Sequence, residues 1–170
     1  MRSAYLSIAA FATAALATAL VAPRAQADAP PPAALAVLNL DYLDTSGEPT
    51  DQTATHQRRA ADFVGALRRD LAANGRYRIV PMSCGTAPCE AAMNPSELQK
   101  AARAAGAKLV MLVGVHKVST LIQLVKIQIA DEEQGQIVFD RFATFRGDTD
   151  EAWQKAESFL ARDVLQSAPP

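Results

Sequence analysis

The chain has 170 residues, with 17 Lys and Arg against 18 Asp and Glu and a formal net charge of −1. Hydrophobic residues make up 49% of it, enough for one buried core, so the composition of an intrinsically disordered protein is excluded. The basic residues form no long cluster, which excludes nucleic acid as an expected partner.

The chain opens on Met1-Arg2, runs through an apolar, Ala-rich stretch from Ala4 to Ala22, and reaches Ala25-Gln26-Ala27, an A-x-A processing pattern. This is the layout of a secretory signal peptide over residues 1–27, cleaved after Ala27. The rival reading is an uncleaved anchor, because the run approaches the roughly 20 residues that span a bilayer. Its Ala-rich character and the processing site favour cleavage, and no cysteine follows it to carry a lipid. Removing Arg2 and Arg24 leaves 15 basic residues against 18 acidic, a net charge near −3. The expectation is a soluble periplasmic protein without stable membrane insertion after cleavage. Residues 28–33 read as a proline-rich linker, 34–166 as one domain and 167–170 as a frayed tail.

"ALAVLNLDYL" alternates weakly, with Leu38, Leu40 and Tyr42 on one phase, and predicts a strand over 34–43. "DTSGEPTDQT" is a loop by composition. "HQRRAADFVGALRRDLAANG" sets Ala60, Phe63, Val64, Leu67 and Leu71 at helical spacing, and Asn74-Gly75 stops it. Its arginine pairs fall on the opposite side and read as a solvated face or a docking surface.

"YRIVPM" is a second, short strand. The pair Cys84 and Cys89 in "SCGTAPCE" then reads as a disulfide in an oxidising compartment. Metal ligation and redox exchange are the rivals, although the spacing matches neither C-x-x-C nor a haem motif. "NPSELQKAARAAGA" begins a second helix with Asn94 as cap and Pro95 at its first position.

"KLVMLVGV" is apolar on both phases, as in a strand covered on two faces. A strand from Leu121, a turn at "DEEQGQ" and a strand "IVFDRFATF" follow. "GDTDEAWQKAESFLARDVL" closes the chain as a helix, with Asp148 as cap and Trp153, Ala156, Leu160 and Val164 as its buried stripe. The order β-α-β-α-β-β-β-α implies an α/β (α+β) fold: one five-stranded mixed sheet, parallel at first, with an antiparallel meander added and helices packed on it.

This element order, with "GAKLVMLVGVHK" entering a meander and "IQIADEEQGQIVF" as strand–turn–strand, resembles exported bacterial domains of the TolB amino-terminal type and the CsgG core. The resemblance implies binding of proteins at the cell envelope, without enzymatic activity. "LDYLDTSGE", "HKVSTLI" and "FRGDTDEAW" are similar to a family of exported bacterial proteins classed as a domain of unknown function, which implies the same fold and compartment.

The polar segment His116, Lys117, Ser119 and Thr120 interrupts the most strand-like part of the chain. With all odd-numbered strands parallel, their carboxyl ends share one edge. That edge collects Asp44 and Thr45, the Cys84–Cys89 loop, His116–Thr120, Arg146 and Asp148, with His56 at a helix amino end. The plain reading is a hairpin turn that meets water. The sharper one is a ligand or partner site, since open α/β sheets bind beyond the carboxyl ends of strands. His116 as a base oriented by Asp44 or Asp148, with Ser119 as nucleophile, lacks any supporting motif. His56 and His116 as metal ligands lack a metal-site spacing, and Lys117 with Arg146 could hold an anion. "RGDTDEA" contains Arg-Gly-Asp, which helix capping explains more simply. No cofactor, metal or catalytic residue is assigned. The expected function is a periplasmic non-enzymatic accessory or adaptor domain that binds another envelope protein. The alternative is a small-ligand or metal binder using the polar edge around His116.

Overall fold

The computed structural model describes residues 31–86 and 88–170; the expected signal peptide, its cleavage site and the first half of the linker lie outside them. Among the described residues the order is β1 (Ala33–Val37), β2 (Asp41–Asp44), α1 (Thr53–Ala73), β3 (Tyr77–Ile79), α2 (Pro95–Ala104), β4 (Leu109–Lys117), β5 (Ile122–Asp131), β6 (Gln136–Arg146) and α3 (Asp150–Ser167). One mixed sheet runs β3-β1-β4-β5-β6, and β2 also pairs with β4. β1, β3 and β4 are parallel, while β4-β5-β6 form an antiparallel meander. The expected mixed-sheet α+β domain with three helices is the one observed.

The first predicted strand is two strands. Val37 pairs with Met111 and Asp41 with Gly114, so four steps on one chain oppose three on β4. That extra residue is a bulge, and it reverses which face each side chain meets. Leu35 and Val37 face the large core with α1 and α3, Leu38 faces the smaller core under α2, and Leu40 and Tyr42 return to the large one. The single phase read for Leu38, Leu40 and Tyr42 is broken by it.

The large core lies between the sheet and α1 with α3. Phe63, Val64, Leu67 and Leu71 come from α1, and Trp153, Leu160 and Val164 from α3. α2 lies on the other face, where Leu98 and Ala102 meet Ala36, Leu38, Val110 and Cys89. Its start follows the sequence: Asn94 accepts from Ser96 N at 2.9 Å, with Pro95 in the first turn. Leu112, Gly114 and His116 of β4 alternate with the large core's residues, so the meander's second face extends beyond α2, with no helix over it among the described residues.

Residues 167–170, expected to fray, are tied down instead. Ala168 is buried, the Arg76 guanidinium donates to the carbonyls of Leu165 and Ala168, and Tyr77 Oη donates to Pro169 O at 2.7 Å. Filled donors, not composition, decide their order.

Candidate functional site

β4 runs two residues further than its apolar stretch suggests, and this sorts the polar segment by the strand's period of two. Leu109, Met111, Val113 and Val115 face the large core, and Lys117 continues their row. Lys117 has no accessible surface; it is not part of a turn that meets water. His116 points to the opposite face, beside Leu43 and Leu124, and shares a hydrogen bond with Thr45 Oγ1 at 2.7 Å. The turn itself is Val118–Leu121. There the Ser119 hydroxyl accepts from Leu121 N and Ile122 N, while Thr120 is exposed.

Inside, Lys117 meets three carboxylates. Its ammonium contacts Glu48, lies 2.9 Å from Asp148 Oδ2 and 3.7 Å from Asp44. Asp148 is the hub. Its Oδ2 also accepts from His56 Nε2 at 2.9 Å, and its Oδ1 accepts from Arg59 Nη1 at 2.7 Å and Trp153 Nε1 at 3.2 Å. Four donors match the lone-pair sites of one carboxylate. Asp148 is therefore not the cap of α3; Thr149 is, accepting from Ala152 N at 3.2 Å. Gly147 makes the inward swing possible: it has φ +92°, and an added Cβ would meet Ala152 Cβ at 3.4 Å.

Burial pushes Asp148 up, but hydrogen bonds from Lys117 and His56 hold it below the ordinary carboxylate range. Burial likewise lowers Lys117, while Glu48, Asp148 and Asp44 hold it above the ordinary lysine value. Both shifts favour charged forms, so the cluster is a satisfied ion network. Tyr42 stacks on His56 at 4.6 Å between ring centroids and is raised by burial and by Asp44. Arg59 continues outward to Asp150 at 2.7 Å, where Arg58 joins at 3.0 Å.

Asp44, His56, Lys117 and Asp148 thus meet at the large-core face. Thr45, His116 and Arg146 belong to the open face or its rim, and Arg146 is exposed. Lys117 and Arg146 do not converge on one anion. His116 bonds Thr45, while the histidine on Asp148 is His56. Among the described residues no group of three or more His, Cys, Asp or Glu is arranged to hold a metal. The Cys84–Cys89 disulfide is formed and packs toward α2, with Cys89 O accepting from Asn39 N at 3.4 Å. β3 ends level with Leu35, so this loop falls short of the level of Lys117.

Glu48, Arg59, Tyr42 and Trp153 complete the network without having been singled out as site residues. Arg59 sat in a pair read as solvated, yet its side chain is only 11% exposed. Arg68 also turns inward, donating to Val37 O at 2.6 Å. Beside the free side of β2 lies a groove of about 740 Å³, lined by Leu40, Tyr42, Glu48, His56, Val64 and Arg68 among others.

Helices on both faces of one mixed sheet, with an ion network on the large-core side, define a class of three-layered α+β domain rather than a particular protein. Residues 33–165 match the model of DUF3280, described as a protein of unknown function (DUF2380), and the chain belongs to that family. No curated protein matches it in sequence. Among solved structures it is similar to the PelC dodecamer from Paraburkholderia phytofirmans, at 15% identity over 82% of this chain and 90% of that one, with TM-score 0.51. It is also similar to the LpoB C-terminal domain from Escherichia coli, at 19% identity over 66% and 81%, with TM-score 0.49. TolB from Acinetobacter baumannii matches at 14% identity over 80% of this chain and 28% of that one, with TM-score 0.48. The PelC likeness is one of fold.

Proposed function

We propose that the protein is a non-enzymatic accessory or adaptor domain of the bacterial cell envelope, binding another envelope protein through the open face of β4-β5-β6. The observation that carries this reading is that large apolar side chains stay exposed there. Phe142 is 61% exposed and Leu43 54%, on the same face as His116. Leu43 sits opposite His116 and Phe142 opposite Lys126, so the face mixes exposed apolar and polar groups as protein–protein interfaces do. The internal network supports the reading from the other side, because its charges are spent on one another. Export is supported by the A-x-A leader and by the disulfide, which oxidising compartments favour.

A photo-crosslinking residue placed at Phe142 or Leu43 in envelope-expressed protein tests it, with Asp62 on α1 as control position. A defined adduct with one other protein from Phe142 and Leu43, absent from Asp62, is expected. Equal, diffuse labelling at all three sinks the proposal. The groove beside β2 favours a second reading, a small polar ligand held near Tyr42 and His56. Native mass spectrometry decides it: a retained mass lost in Tyr42→Ala supports that reading, and a bare chain counts against it.

A further inference from the structure

β6 ends the sheet, so among the described residues no strand pairs with its outer side. Gly147 N donates to Leu121 O at 2.9 Å, in register with the β5-β6 pairs. Backbone groups alternate along an antiparallel ladder, so odd-numbered residues of this stretch bond β5. Asp140, Phe142, Thr144 and Arg146 therefore turn their N–H and C=O groups to the free edge. An edge of this length is a template for another strand unless something blocks it.

The sequence of this edge is complementary to itself. Turned about Ala143 against a second copy, "DRFATFR" places Asp140 opposite Arg146 twice and Phe142 opposite Thr144 twice. Both charged groups are available. Gln128 and Lys126 reach Asp140 through the same oxygen, Oδ2, leaving Oδ1 without a partner among the described residues. Arg146 is exposed and has no carboxylate partner among them. On the other face, an apolar cleft of about 350 Å³ runs between α3 and β6, lined by Ala143, Phe145, Ala156, Phe159 and Leu160 among others. Phe159 is 51% exposed beside that same Ala143. Charge pairs at the flanks and an apolar cleft at the centre fit an isologous two-fold interface.

We propose that the free edge of β6 pairs antiparallel with β6 of a second copy of this chain, centred on Ala143, with reciprocal Asp140–Arg146 ion pairs. This joins two sheets into one and sets two open faces side by side. It does not depend on the adaptor reading.

Sedimentation equilibrium on the purified chain tests the pairing by charge reversal. Dimer is expected for the natural chain. Asp140→Arg and Arg146→Asp each weaken it at least about tenfold, and the double reversal recovers most of the loss. Hydrogen exchange on the natural chain reads the same contact without substitution: the amides of Phe142 and Thr144 gain protection as concentration rises. A monomer throughout the micromolar range overturns the proposal. So does a dimer that ignores both reversals, or one whose Phe142 and Thr144 amides exchange at a rate independent of concentration.

Discussion

Lys117 shows how one position can be polar and still belong to the core. It stands where the alternation of β4 calls for an apolar side chain, and three carboxylates neutralise the cost of putting an ammonium there. Replacing it by Met leaves Asp148 and Glu48 facing one another with less positive charge between them. Lys117→Met is therefore expected to lose about 3 kcal/mol of unfolding free energy in denaturant titrations, as removal of one buried partner does. Gln123, its cross-strand neighbour, behaves in the opposite sense. Its side chain is fully buried, and neither amide atom has a hydrogen-bond partner among the described residues. Leaving such a group unsatisfied costs about 1–3 kcal/mol. Gln123→Met, which keeps the length, is expected to raise stability by about 1 kcal/mol; a loss would show that the amide is bonded in solution. The burial of Lys117 is not legible in the sequence, because "LVMLVGV" is apolar on both phases and the polar segment after it reads as a turn. Its partners are no more legible, because Glu48 and Asp148 lie far apart in sequence and only the closed fold brings them together.

Elements differ in how much of their placement local chemistry decides. α2 follows from Asn94, Pro95 and its apolar stripe, and the hairpin turns follow from Ser119 and Gly135. The division of the first strand was not legible, since a bulge depends on its pairing with β4 and leaves no residue-level mark. The arginines of α1 were read by helical periodicity alone, which separates core from non-core but does not see α3 closing over Arg59. The α1–α3 interface also holds Glu157, buried and with Oε1 unpartnered among the described residues. Burial, then the charge of Asp70 on α1, raise its pKa to about 7, against Arg69 and a bond from Ser158. A carboxyl raised in the folded state destabilises the fold as pH climbs from its unfolded value, about 4.5, through about 7. Glu157→Gln is expected to match the natural chain at pH 4 and exceed it at pH 8, by on the order of 2 kcal/mol. Thermal melts across that range check it, and parallel curves at both ends would refute it.

At the scale of the whole molecule, two cores share one sheet and are unequal. The α1–α3 side is closed by long helices, Trp153 and the ion network, while the α2 side is a small cluster that includes Cys89 and has the disulfide loop at its margin. Local opening follows the number of apolar contacts and backbone bonds that must break together, so the smaller side is the weaker cooperative unit. The Cys84–Cys89 bridge closes a loop with a sequence separation of 5, whose entropic contribution is about 2 kcal/mol. That is modest for the whole domain and large for α2, because Cys89 anchors the chain to Asn39 just where the first strand bulges. Reduction is therefore expected to raise hydrogen exchange in Met82–Met93 and α2, with α1, α3 and β4 keeping their protection. A uniform rise over both faces would show that the bridge holds the entire fold rather than one side of it, and would make the two cores a single cooperative unit.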